Sequence, residues 1–227
     1  METKIGIYDS GIGGVSVLIR LIKDWKGGNY LYLGDNANMP YGSRSEKELF
    51  RLAKENVDRL LSAGATDIVL ACNTMSMTVL KLIEKYSPVP VFGIVPPDPG
   101  RGGAIFGTPN TIACLAKNGV SAALYSLPNL AREIEKSALD LKKLTILDHL
   151  GKIPVEYDKI VLGCTHYWFV RNAFAEIFPN AVISDGYDML QKSLKNVVKT
   201  DFFAMRTNVL FFGENSDWNR SVFLRFC

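Results

Sequence analysis

The sequence, 227 residues long, has no apolar run near the ~20 residues that a membrane-spanning helix requires, and its first residues lack the hydrophobic stretch of a secretion signal. A cytoplasmic location is the expectation. Only two histidines accompany four cysteines, Cys72, Cys114, Cys164 and Cys227, and no two of those cysteines have the C-x-x-C spacing of a zinc ribbon or a dithiol redox centre. Structural zinc is therefore not expected, and a reducing compartment argues against disulfides. There is no G-x-S-x-G elbow and no lysine closing a phosphate-binding glycine loop, which sets aside two common enzyme classes. Nor does either charge dominate, with 26 lysines and arginines against 23 aspartates and glutamates. The net charge is +3, and Lys142-Lys143, the tightest basic pair in its neighbourhood, reads as a solvated face rather than a nucleic-acid contact. What remains is ordinary for a globular chain, 48% hydrophobic and 22% charged, long enough for one large domain or two small ones.

One stretch occurs twice. Ile68-Val69-Leu70-Ala71-Cys72-Asn73-Thr74 returns as Ile160-Val161-Leu162-Gly163-Cys164-Thr165-His166. Each copy is an apolar, β-branched run ending in cysteine and followed by a helical pattern, so each cysteine is placed at a strand-to-helix junction. In open α/β sheets ligands bind at that end of the strands, and a nearby helix N-terminus favours a thiolate. A lone cysteine there is commonly packing; two in matching positions suggest paired chemistry.

The rest of the chain alternates strand and helix. Lys4 to Tyr8 reads as a first strand, ending in Asp9-Ser10-Gly11-Ile12-Gly13-Gly14 before a helix. The third glycine of a dinucleotide fingerprint would fall at Ser16, so that motif is incomplete, but backbone N–H groups at the helix start would suit an anionic ligand such as a carboxylate. After strand Tyr30 to Leu33 comes a long loop, Gly34 to Gly42, then Ser45 with Glu48 as a capping box. The Pro- and Gly-dense run from Pro96 to Gly103 is the one clear break in composition. Beyond it the pattern restarts at Ala104 to Gly107, with a helix from Pro128 to Leu141, a further amphipathic piece to Gly151, and the Cys164 strand. The two halves have similar loop-to-cysteine spacing. The alternation predicts an α/β fold with two similar halves, residues 1–96 completed by 205–227, whose strand Val209 to Phe212 crosses back, and residues 97–204.

Together Asp9-Ser10-Gly11-x-Gly13-Gly14, Gly34-Asp35, Pro40-Tyr41-Gly42, Cys72-Asn73-Thr74 and Gly163-Cys164-Thr165-His166 resemble the glutamate racemase family over most of the chain and in the family's order. The resemblance implies two pseudosymmetric domains, each a mostly parallel sheet flanked by helices, with the active site in the interdomain cleft. It implies racemisation of glutamate without cofactor or metal, supplying D-glutamate for bacterial peptidoglycan. Cys72 and Cys164 would be the two bases, Asp9 assisting Cys72 and His166 assisting Cys164. Asp9, Ser10, Tyr41, Gly42, Asn73, Thr74, Thr165 and His166 match positions that bind substrate, to which Thr108 and Thr111 are added. The expected partner is the small molecule glutamate, not nucleic acid or membrane; oligomeric state is open, a homodimer being one option.

The chain departs from the family pattern in places. Pro96-Pro97 stands where Glu-Pro is common, and either Glu133 or Glu135 could match the family's glutamate in the helix after Pro128. Tyr167-Trp168-Phe169 is bulky, and Met75 and Met77 stand where small residues are usual, offering a narrower pocket and another substrate. The alternatives are thus a related racemase or isomerase for another acidic substrate, or a catalytically silent binding paralogue.

Overall fold

The computed structural model describes residues 3–25, 28–141, 144–151, 153–154, 156–197 and 207–227; the Lys142-Lys143 pair lies outside them. Strands β1 (Lys4–Asp9), β2 (Gly28–Gly34), β3 (Asp67–Leu70), β4 (Val91–Gly93) and, from the tail, β9 (Thr207–Phe212) form one sheet in the order β4-β3-β1-β2-β9. Strands β5 (Gly103–Gly107), β6 (Ala123–Ser126), β7 (Lys159–Gly163) and β8 (Val182–Asp185) form a second in the order β6-β5-β7-β8. Every one of these pairings is parallel. Parallel sheets need cover on both faces, which is why Ile68-Val69-Leu70 is an unbroken, fully buried apolar run. Residues 94–102 join the sheets without helix or strand.

The helices that cover these sheets are α1 (Gly13–Trp25), α2 (Glu46–Ser62), α3 (Asn73–Tyr86), α4 (Pro109–Lys117), α5 (Leu130–Ser137), α6 (Leu147–Leu150), α7 (Arg171–Ile177), α8 (Tyr187–Val197) and α9 (Ser216–Phe226). The capping box opens α2 as expected, the Ser45 hydroxyl accepting from the Glu48 N–H while the Glu48 carboxylate accepts from the Ser45 N–H. Three segments depart from the sequence reading. The helix expected from Pro128 to Leu141 is the shorter α5, and the piece leading to Gly151 is a single turn, α6, stopped where Gly151 takes φ 57°. After Cys164 the chain does not enter an α-helix directly. Six residues, Thr165–Val170, form a 3-10 segment first, five of them buried between the two units. Such a tight segment eclipses side chains three apart, so a short run can present residues on several sides at once.

Helix α1 is the element shared by both units. Its residues Val15, Val17, Leu18 and Leu21 belong to one continuous apolar core with Ala104, Phe106, Leu130 and Leu162 of the second unit. Polar contacts reinforce this packing. Arg20 of α1 donates to both carboxylate oxygens of Asp185 at the end of β8, at 3.0 and 2.7 Å, and its guanidinium lies 4.1 Å from the centre of the Tyr187 ring. Asp24 accepts from the Tyr187 hydroxyl at 2.7 Å and also from Gln191. With both partners of the Arg20–Asp185 pair less than a fifth exposed, Asp185→Asn is expected to cost about 2 kcal/mol, between surface and buried ion pairs. A chemical-denaturation midpoint checks this; an unchanged midpoint would remove the clamp from the fold's energetics.

Candidate active site

The carboxyl ends of β1, β3, β5 and β7 converge, so Asp9, Cys72, Thr108 and Cys164 approach one point from two sheets. A cavity there is lined by Ser10, Tyr41, Gly42, Cys72, Asn73, Thr74, Thr108, Cys164, Thr165 and His166. Asp9 and Thr111 are the two sequence candidates set one layer behind the wall, both fully buried. The free space is about 20 Å³, room for a water molecule and not for an amino acid, so the site is closed. Across its rim the Asn110 N–H donates to the Gly42 carbonyl at 2.8 Å, and Thr74 Oγ1 meets Thr108 Oγ1 at 2.8 Å. A wider groove of about 490 Å³ between β9 and α9 is walled mainly by apolar side chains such as Val209, Phe211 and Phe223.

The two cysteines have different surroundings. Cys72 caps the start of α3, yet burial pushes its thiol up to about 12 and the Asp9 charge adds to the push. Desolvation thus outweighs the helix N-terminus that the sequence reading invoked. Nor does a direct hydrogen bond join Asp9 to Cys72 among the described residues. The Cys72 thiol donates to Ser10 Oγ at 3.8 Å, and Ser10 donates to Asp9 Oδ1 at 3.5 Å, so Ser10 stands between them. Burial raises the Asp9 carboxyl above its usual range, against the pull of His166, the Gly11 N–H at 2.9 Å and the Thr165 hydroxyl at 3.0 Å.

On the other side Cys164 Sγ lies 3.9 Å from His166 Nδ1, and His166 Nε2 lies 2.7 Å from Glu135 Oε2. Burial opposes a charge on His166, but its bonds to Cys164 and Glu135 outweigh burial and hold its pKa well above the ordinary value. Burial likewise opposes the Glu135 carboxylate, and His166, the Ile12 N–H and Asn36 outweigh it, keeping Glu135 below the usual range.

Glu135, one of two alternatives in the sequence, is thus the one at the site, while Glu133 is 2.9 Å from His149 on the outside of α5. This also revises the reading of the glycine loop. The Gly11 and Ile12 N–H groups hold the protein's own carboxylates, Asp9 and Glu135, rather than standing free for a ligand. An anion at a helix start satisfies them whichever molecule carries it. Gly13 is required here by close approach: a Cβ would lie 2.3 Å from Thr165 Oγ1 and 2.6 Å from His166 Nδ1.

Other expectations are displaced. The Tyr41 hydroxyl is bonded to Tyr8 at 2.7 Å and to Asp35, although the residue lines the cavity. Met75 is buried in the core behind Cys72 and Met77 packs against Ile105, Leu115 and Val161, so neither narrows the cavity. Tyr167 donates to the Leu127 carbonyl and stacks on Phe174, and Trp168 and Phe169 pack against Phe226. The bulky run is core, not pocket. Met39, Pro40, Pro128 and Ala131 complete the wall; Pro40 belongs to the Pro40-Tyr41-Gly42 motif, and the other three were not among the sequence candidates.

Comparison with known proteins is consistent with this architecture. No family model matches the chain. A glutamate racemase of Leptospira borgpetersenii (strain JB197) is 32% identical over 209 residues, covering 85% of this chain and 81% of that protein. The chain belongs to the glutamate racemase family. The glutamate racemase of Aquifex pyrophilus is 30% identical over 214 residues, 87% of this chain and 84% of that one. Among solved structures, glutamate racemase of Thermus thermophilus in complex with beta-chloro-D-alanine superposes with a TM-score of 0.81 at 28% identity, covering 99% of this chain and 93% of that one. As a glutamate racemase family member the chain is an isomerase, and the paired sheets described above are those of the family.

Proposed function

We propose that this protein racemises glutamate with Cys72 and Cys164 as its two bases, in the cytoplasm, supplying D-glutamate for peptidoglycan. The observation that carries the reading is that two thiols, one from each sheet, face a single cavity. Inverting an α-carbon needs a base on one face and an acid on the other, and two matching units supply that placement. The domains are read as residues 1–96 with 205–227 and residues 97–204. Their closed contact at Gly42 and Asn110 must open to admit substrate.

The proton balance is simple. One sulfur enters as a thiolate and takes the α-proton; the C–H electron pair passes into a carbanion conjugated with the α-carboxylate. The other sulfur enters as a thiol and delivers its proton to the opposite face. Cys164, 3.9 Å from His166 Nδ1, suits the sulfur that takes the proton, and Cys72, with its raised pKa, suits the sulfur that delivers one. For the reverse direction the protonation states exchange, and Ser10 offers Cys72 a path towards Asp9. The buried Asn73 Oδ1 has no partner in the closed site, and an α-ammonium would satisfy it. Hydroxyls of Ser10, Thr74, Thr108 and Thr165 suit the two carboxylates of glutamate.

Incubation with L-glutamate in heavy water tests this. The expected product is D-glutamate carrying deuterium at the α-carbon. Folded protein that forms none, or that acts on another acidic amino acid instead, would sink the assignment.

A further inference from the structure

Beyond the residues that meet the cavity, a chain of hydrogen bonds runs from the tail of the protein to the sulfur of Cys164. Asn219 of α9 is fully buried, and its side-chain amide pairs with that of Asn36 in both directions: Asn219 Nδ2 donates to Asn36 Oδ1 at 2.9 Å, and Asn36 Nδ2 donates to Asn219 Oδ1 at 3.1 Å. Asn36 Nδ2 also donates to Glu135 Oε1. Glu135 Oε2 meets His166 Nε2, and His166 Nδ1 meets Cys164. The backbone makes room for this pair, since a Cβ on Gly34 would lie 2.7 Å from Asn219 Nδ2 and 2.9 Å from Asn36 Oδ1.

We propose that Asn36 and Asn219 are positioning residues for the Cys164 acid–base pair, holding the Glu135 carboxylate on His166. The chemistry of an amide gives the reason. A carboxylate only accepts, so Asn36 must turn its NH₂ towards Glu135 and not its oxygen. Asn219 enforces that orientation by donating to the Asn36 oxygen. A flipped or absent amide leaves Glu135 with a buried, unpartnered oxygen, which shifts the carboxylate off His166. The cysteine on the other face has no such support, because Cys72 is served by Ser10 and Asp9. The effect is therefore one-sided.

This inference rests on the two-base reading, and the test separates the two. Because the enantiomers have equal free energy, kcat/KM is the same in both directions at equilibrium and cannot reveal a one-sided defect. Isotope effects can. In heavy water Cys72→Ser keeps only the Cys164 face, so the enantiomer whose α-proton it exchanges is the one Cys164 meets. Asn36→Ala is expected to lower kcat roughly tenfold or more. It should also raise the α-deuterium isotope effect for that enantiomer and lower it for the other. Asn219→Ala should shift both in the same sense, and the double variant should lose less than the product of the single losses, as expected for residues acting through one path. Thermal unfolding of each variant checks that it folds, and Asn219→Ala carries the test should Asn36→Ala not fold. An unchanged isotope-effect ratio overturns the positioning role, whatever happens to kcat. Full racemisation by Cys164→Ser overturns the two-base reading instead.

Discussion

Cys72→Ser and Cys164→Ser are each expected to lower racemisation by about 1,000-fold or more, while leaving a folded protein. A serine hydroxyl is far less acidic than a thiol, so neither replacement can serve as thiolate base or as a ready proton donor. The substitution is nearly isosteric, so the fold is retained, with a modest cost for placing a hydroxyl at two buried positions. The two variants should differ in what survives. Cys72→Ser retains Cys164 with His166 and Glu135 and should still exchange the α-proton of one enantiomer with solvent. Cys164→Ser retains a thiol whose pKa is pushed up to about 12, so its residual exchange should be slower and confined to the other enantiomer. Proton NMR of glutamate in heavy water reads both. Undiminished racemisation by either variant would remove that cysteine from the mechanism.

Asp9→Asn should lose activity and gain stability together. The carboxylate is the acceptor at the end of the path from Cys72 through Ser10, and an amide cannot take up a proton there, so kcat is expected to fall by about 100-fold. The stability gain follows from burial. Asp9 is fully enclosed and its pKa is raised in the fold, so its favourable contribution is complete below the unfolded carboxyl value near ~3.9 and is lost as pH rises through the raised folded value. At neutral pH the buried charge is a cost to the native state. Asparagine can still accept from the Gly11 N–H without that charge. The denaturation midpoint of Asp9→Asn should therefore exceed that of the parent at pH 7, and the difference should shrink at pH 4. A variant less stable than the parent at pH 7 would mean that the His166 charge and the Thr165 bond outweigh desolvation.

Much of this protein was legible before any tertiary contact was known. Apolar runs, glycine turns and a capping residue are local signals, and they located strands such as Ile68 to Leu70 and the Ser45 cap, whereas the pairing of the tail strand with β2 is a tertiary contact. The repeated cysteine stretch did more, since two copies of one strand-to-helix unit pointed to two similar halves, which the two sheets match. Depth and partnership were not legible, because they depend on what other elements bring near. Sequence alone favoured a thiolate at Cys72 from its place before a helix; only the packed structure reveals the desolvation that raises its pKa. The choice between Glu133 and Glu135 turned on which side of α5 faces the glycine loop, a matter of helix rotation against another unit. The amide pair Asn36 and Asn219 joins residues far apart in the chain, through a strand that crosses back to the first sheet. The chain by itself determined that two cysteines end two matching strands. Tertiary structure decided that they face one closed cavity in unequal surroundings, one led to Asp9 by a hydroxyl and the other held by a histidine and a buried carboxylate, because desolvation and charge pairing exist only once the units are packed.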